Sequence, residues 1–270
     1  MLRAAFTALL LGTVPAAAVP VDALSESRRM TQAEMAETVD FMVGNAVFAL
    51  LQAAGHMAAD VFRLPVDGER GADDFATFTL LEPRSAAGDQ TLVNAIDTWY
   101  LSDRLTASND GSSVPIGPHA LDLTRANAIT CRMVGADPQG FSDIADAVAL
   151  APAARDRCVA DYARDRAAFD AILAPFRRPA AAAKSAVRTV YDPAPDDLEL
   201  EATVLSDNRV LEEVGDRLAD HYLLPDGVTV RAAPCGSPTA EWKAGEKELV
   251  LCYELSAIHA ALIIDDIRQR

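Results

Sequence analysis

The longest regular pattern of apolar positions lies between residues 39 and 59. Apolar side chains recur there at intervals of three and four residues, which is the spacing of one face of an α-helix. Thr31 followed by Glu34 is typical of a capping box, so we expect the helix to begin just after Thr31 and to continue towards Asp60. The positions of the apolar face are Val39, Met42, Val43, Ala46, Val47, Leu50, Leu51 and Ala54.

Shorter patterns predict the remaining elements. Periodic apolar positions indicate helices over residues 72–81, 90–105, 123–134, 154–173, 208–224 and 253–267. Two apolar runs, 228–232 and 248–252, are typical of strands, and residues 243–246 between them suit a turn. The prediction is a mostly helical α+β fold with a small antiparallel β-hairpin.

Composition divides the chain into segments. Residues 106–118 are rich in Ser, Asn, Asp, Gly and Pro, which predicts an exposed loop, and residues 175–183 form a low-complexity break. We expect a signal peptide at 1–18, a helical region at 25–178 that contains the helix 41–60, and a linker at 179–187. Residues 188–270 would form a helix–hairpin–helix segment that packs on the same domain.

The N-terminus and the charge bear on location and partners. Arg3, an apolar stretch at 4–14 and the small residues Ala16-Ala17-Ala18 are typical of a secretory signal peptide. Cleavage near Ala18 would leave a soluble protein without a membrane span, in the periplasm or outside the cell. The formal net charge of -16 argues against nucleic acid or an anionic membrane surface as a partner.

The chain has four cysteines, Cys131, Cys158, Cys235 and Cys252, and none has C-x-x-C spacing. An even number in an exported chain favours two disulfides over metal ligation. Three pairings are open, and we favour the sequence neighbours, Cys131 with Cys158 and Cys235 with Cys252.

The helix 41–60 has a second stripe, formed by Asn45, Phe48, Gln52, Gly55 and His56. Positions 52 and 56 stack on one face, where a site could lie. A single histidine in such a helix is more often a packed core residue than a ligand. Sequence motifs of other enzyme classes, such as G-x-S-x-G, the P-loop and G-x-G-x-x-G, are absent.

Several segments together resemble a bacterial family of zincin-like metallopeptidases of unknown function. The resemblance covers most of the mature chain. The segments are Phe41-Met42-Val43-Gly44-Asn45-Ala46-Val47-Phe48, Gly55-His56, Leu64-Pro65-Val66, Ala72-Asp73-Asp74-Phe75-Ala76, His119-Ala120-Leu121-Asp122, Gly135-Ala136-Asp137-Pro138 and Leu251-Cys252-Tyr253-Glu254-Leu255.

The resemblance implies a zinc site built from the two histidines of H-E-x-G-H and a downstream acid, with the motif glutamate as general base. In this chain Gln52 replaces the first histidine and Ala53 replaces the glutamate, while Gly55 and His56 are retained. Gln is a poor substitute for imidazole, and Ala53 has no proton acceptor.

Candidate metal ligands are therefore His56, His119 and an acid such as Glu69 or Asp73. The family's acid-rich segment is shorter here and has gained Arg70, and its Cys-Gly-x-x-Asn-Ala-Phe-Tyr segment, a candidate substrate-side strand, is altered at residues 235–242.

Two main interpretations follow. We favour an inactive member of the family, without zinc, that acts as a binding or structural protein and uses the former cleft for a peptide or protein partner. The alternative is a divergent zinc metallopeptidase that uses His56, His119 and Glu69 or Asp73; a weak metal site without hydrolysis is a third. Convergence of Gln52, His56, His119 and an acid would favour a metal, whereas an apolar or arginine side chain in that space would argue against it.

Overall fold

The computed structural model describes residues 29–64, 68–82, 84–108 and 123–270, with the side chains of 105–108 excluded. The predicted signal peptide and His119 lie outside the described residues, as does most of the predicted loop. Residues 106–108 of that loop are helical.

Helices make up most of the described residues. They are α1 Gln32–Val61, α2 Gly68–Leu80, α3 Ala86–Ser108, α4 Leu123–Ala136, α5 Ser142–Ala147, α6 Pro152–Leu173, α7 Glu199–Asp207, α8 Val210–His221 and α9 Tyr253–Gln269. The strands are β1 Arg188–Tyr191, β2 Thr229–Ala233, β3 Ala240–Lys243 and β4 Glu248–Cys252, and short 3₁₀ turns occupy Ala174–Phe176 and Asp196–Leu198. The mostly helical α+β class is confirmed, and α5, α7, β1 and β3 are additions to the predicted elements.

Helix α1 is the centre of the fold. Its capping box is present, because Thr31 N donates to Glu34 Oε2 at 2.6 Å and Glu34 N donates to Thr31 Oγ1 at 3.3 Å. It packs against α2, α3, α8, α9, β3 and β4. In the described part of the chain, α1 is the helix that is long and apolar enough to span a membrane. However, 83% of its most apolar 18-residue stretch is buried inside the protein, as in the core helix of a globular domain.

The sheet has the strand order β1-β2-β4-β3. The predicted pairing of 228–232 with 248–252 as a hairpin was wrong, because β2 and β4 are parallel, with Thr229 opposite Glu248. Strand β4 instead forms its hairpin with β3, with Lys243 opposite Glu248, and the predicted turn lies there. Leu249 to Cys252 are all buried, and such a continuous apolar run is typical of a parallel strand covered on both faces.

Both disulfides join the favoured partners. Cys131–Cys158 links α4 to α6, and Cys235–Cys252 ties the segment after β2 to the end of β4. Two disulfides indicate an oxidising compartment. The division of the chain at the 179–187 linker stays a prediction.

Gly55 allows α2 to lie directly on α1. A Cβ atom at position 55 would lie 2.7 Å from Ala72 Cα and 3.1 Å from Phe75 Cβ. We therefore expect Gly55→Ala to destabilise the protein, although alanine is favoured over glycine in an open helix by up to about 1 kcal/mol. Urea unfolding measures the change.

The matched control is Gly215→Ala in α8, where the nearest atom to the new Cβ is a Val187 methyl at 3.1 Å. A side chain can move where a backbone cannot, so this variant should lose less stability than Gly55→Ala. Equal effects of the two substitutions would contradict the close α1–α2 contact as the cause.

Candidate functional site

The position at which the sequence resemblance implies a zinc site lies where the second stripe of α1 faces the first two turns of α2. Gln52 and His56 lie one turn apart on α1, and Glu69 and Asp73 lie one turn apart on α2. His56 Nε2 is 3.4 Å from Glu69 Oε1, and both side chains are about one-third exposed. Gln52 and Asp73 lie deeper and are buried. The structure therefore brings together four of the predicted site residues.

Gln52 acts as a hydrogen-bond donor at the position of the first motif histidine. Its Nε2 donates to Glu69 Oε2 at 3.0 Å and to Asp73 Oδ1 at 3.1 Å. Both hydrogens of the amide are thus directed at the two candidate acid ligands. An amide in this orientation presents N–H groups, rather than a lone pair, to the space between the carboxylates.

A further residue, Arg125 of α4, completes the cluster. Its Nε and Nη2 donate to Asp73 Oδ2 and Oδ1, each at 2.7 Å, which is a bidentate pair. Nη2 also lies 3.8 Å from Glu69 Oε2, and the guanidinium carbon is 4.4 Å from the centre of the Trp99 ring. The Arg125 side chain is only 11% exposed.

Arg125 is not among the site residues predicted from the sequence. One signal could have revealed it: Arg125 and Arg132 lie seven residues apart on the helix face that carries Ala126, Ile129 and Met133. Arginines on an apolar helix face are rarely buried without a carboxylate partner. Arg132 is indeed paired with an acid of α2, since its Nε donates to Asp74 Oδ1 at 2.9 Å.

Electrostatics at the site are dominated by burial. Burial raises the pKa of the Asp73 carboxyl above its ordinary value, and the hydrogen bonds and charge of Arg125 act in the opposite direction. The bidentate geometry is that of an ion pair, in which Asp73 accepts three hydrogen bonds, two from Arg125 and one from Gln52.

Ala53, at the position of the motif glutamate, is buried and has no proton acceptor, so a base would have to come from another acid. Glu254, at the start of α9, accepts hydrogen bonds from the backbone N–H groups of Cys235 and Gly236. Glu69 and Asp73 are bonded to Gln52. Water activation by the described residues therefore lacks an acceptor at the position where the motif provides one.

The described residues do not fit a zinc ion at this position. His56, Glu69 and Asp73 have the right chemistry, but the Gln52 amide and the Arg125 guanidinium direct positive hydrogens into the space between the two carboxylates. Among the described residues, Cys235, Cys252 and Glu254 have metal-like spacing. Their two sulfurs form a disulfide, so this group offers no thiolate ligand.

A small cavity of about 50 Å³ lies beside Gln52 and Arg125. It is partly open and is lined by α1, α3, α4, α9 and the segment 238–240, and its polar lining includes Asn45, Thr98 and His259. His259 is buried, its Nδ1 has no hydrogen-bond partner among the described residues, and its ring contacts Phe41 edge-on. At this position His259 is a packing residue.

Burial lowers the pKa of His259 to about 3, from an ordinary value of 6.5. Above pH 6.5 the imidazole is neutral in both the folded and the unfolded chain, so it adds no pH dependence to the free energy of unfolding. As the pH falls from 6.5 towards 3, the unfolded chain binds a proton that the folded chain excludes, so stability falls by up to about 1.4 kcal/mol per pH unit.

The variant His259→Phe keeps the ring and removes the titration. We expect its unfolding free energy to depend less steeply on pH than that of the wild type between pH 6.5 and 4, as measured by urea unfolding at several pH values. Carboxylates contribute equally to both proteins and cancel in the difference. Parallel pH profiles would refute the assignment of this slope to His259.

Comparison with known proteins identifies a family for most of the helical part of the chain. The model of a family described as "putative metallopeptidase" matches residues 17–173, more than half of the chain. The protein belongs to this family, which confirms the resemblance found in its sequence. The matched range includes Gln52, His56, Glu69, Asp73 and Arg125, whereas the sheet and α9 lie beyond it. Neither the curated proteins nor the solved structures contain a match to the chain.

Proposed function

We propose that this protein is an exported member of the metallopeptidase family that does not hydrolyse peptides at the former zinc position and binds a peptide segment there. The observation that carries the proposal is the contact of Gln52 Nε2 with both Glu69 and Asp73. With Ala53 as the next residue, the helix presents a donor where a metal ligand is needed and a methyl group where a base is needed.

The edge strand β3 supports binding of an extended chain. It pairs with β4 on one side only. Trp242 of β3 donates its indole Nε1–H to Asp60 Oδ2 of α1 at 3.0 Å. The segment 235–242, which sequence analysis singled out as a substrate-side strand, thus lies against the former zinc helix. Addition of a strand to an exposed sheet edge is a common mode of peptide recognition.

The register identifies the backbone groups that a peptide would meet. Cys252 N donates to Thr239 O, so residues 239, 241 and 243 bond to β4 in this antiparallel pair. Ala240 and Trp242 therefore direct their N–H and C=O groups away from β4. In the described part of the chain no strand pairs with that edge.

A peptide mixture tests the proposal directly. Mature protein, prepared without a metal-affinity tag, is incubated with unfolded polypeptides in the presence of zinc or of chelator, and both binding and cleavage are measured. We expect binding without cleavage in both conditions. Ala240→Pro should weaken binding because it removes an outward N–H, while Lys243→Ala, which changes an exposed side chain, should not.

The alternative, a divergent zinc metallopeptidase using His56, His119 and Glu69 or Asp73, is favoured by the family membership. It predicts about one zinc per chain in elemental analysis, loss of that zinc in His56→Ala, and zinc-dependent cleavage. Such a result would overturn the proposal, as would the absence of any peptide binding.

A further inference from the structure

Helix α2 carries two carboxylates one turn apart, at the point where side chains of α1 and α4 reach it. Glu69 and Asp73 of α2 both accept from the single nitrogen Gln52 Nε2, at 3.0 and 3.1 Å. Two carboxylates at such short range repel each other, and the repulsion is stronger at a buried position than in water. A positive charge beside the two carboxylates offsets this repulsion.

The chain itself provides this charge. Arg125 forms both of its 2.7 Å hydrogen bonds to Asp73, and its Nη2 lies 3.8 Å from Glu69 Oε2. The ring of Trp99, 4.4 Å from the guanidinium carbon, supports the cation from one side. A guanidinium held by two hydrogen bonds and an aromatic ring is restricted in position.

We infer that Arg125 is a built-in cation, which neutralises Asp73 and Glu69 in place of a metal ion and keeps divalent cations out of this site. A metal ion bound to these carboxylates would lie against the N–H groups of Gln52 and Arg125. Both side chains would have to turn away, leaving Arg125 without its buried partner. Arg125 has this role whether or not the protein binds a peptide beside α1.

The matched control is Arg132, which lies on the same helix and pairs with the same neighbouring helix. Its side chain is 8% exposed, against 11% for Arg125, and it bonds to Asp74 and to Asp165. It does not contact Glu69 or Asp73. Arg132→Met therefore removes a similarly buried guanidinium, but from Asp74 and Asp165 rather than from the candidate metal ligands Glu69 and Asp73.

The experiment compares the wild type, Arg125→Met and Arg132→Met, as mature chains purified without a metal-affinity tag. The thermal midpoint is measured in chelator and in zinc chloride, and zinc binding is measured by titration calorimetry. We expect the wild type to have the same midpoint in both solutions. Arg125→Met should have a lower midpoint in chelator, should bind about one zinc per chain, and should gain several degrees with zinc.

His56→Ala in the Arg125→Met background should abolish that gain, and Arg132→Met should be unstable but indifferent to zinc. Equal responses of the two methionine variants would overturn the inference. Stoichiometric zinc binding by the wild type would also overturn the inference. This test does not depend on whether Arg125→Met folds. Arg125→Lys offers a further test, because it keeps the charge and should remain indifferent to zinc.

Discussion

Replacement of Asp73 by alanine is expected to lower the free energy of unfolding by about 3–5 kcal/mol at pH 7, the typical cost of removing one partner of a buried ion pair. Asp73 is 5% exposed, and its carboxylate accepts hydrogen bonds from both Nε and Nη2 of Arg125. Without this carboxylate the guanidinium stays buried with only the more distant Glu69 as a counter-ion. Urea unfolding measures the loss.

Two controls separate this effect from general loss of a charge. The double variant Asp73→Ala/Arg125→Met should recover part of the lost stability, because the unpaired buried charge is gone. Glu241→Ala removes an exposed partner of Lys243 and should cost less than about 1 kcal/mol. If Asp73→Ala costs no more than Glu241→Ala, the ion pair does not organise the site as we describe.

The second large effect concerns the disulfide between α4 and α6. Replacement of Cys131 and Cys158 by alanine should lower the free energy of unfolding by about 3–4 kcal/mol, from the loop-closure entropy of a cross-link across 27 residues. Alanine is the appropriate replacement because Cys158 is buried and alanine adds no polar group there. Urea unfolding under non-reducing conditions measures the change.

Reduction of the variant provides the control. A reductant acts on the wild type through both disulfides but on the double variant only through Cys235–Cys252, which spans 17 residues. The reductant should therefore lower the urea concentration at the midpoint of unfolding more in the wild type than in the double variant. Equal shifts would show that Cys131–Cys158 contributes nothing to stability.

The sequence was most informative where structure depends on local spacing. The capping box at Thr31 and Glu34 and the apolar stripe of α1 are set by residues three or four positions apart, and both were predicted. The direction of strand pairing is not local. Strands β2 and β4 are joined through β3, whose four residues are too short to show a clear alternation, so two parallel neighbours were interpreted as a hairpin.

The same distinction applies to the site. Helical spacing predicts that Gln52 and His56 share a face, and the family resemblance supplies Glu69 and Asp73 as candidate acids. Arg125 reaches Asp73 from 52 residues away along the chain. That contact depends on how α4 packs on α2, which no spacing within either helix reveals.

The central position of α1 has a consequence for the order in which the protein can fold. Its apolar faces are covered partly by β3, β4, α8 and α9, which all follow residue 209. Synthesis proceeds from the N-terminus, so α1 emerges long before these elements. Until Tyr253–Gln269 has been made, α1 therefore has α2 and α3 as partners but keeps part of its apolar surface exposed, which favours aggregation of incomplete chains.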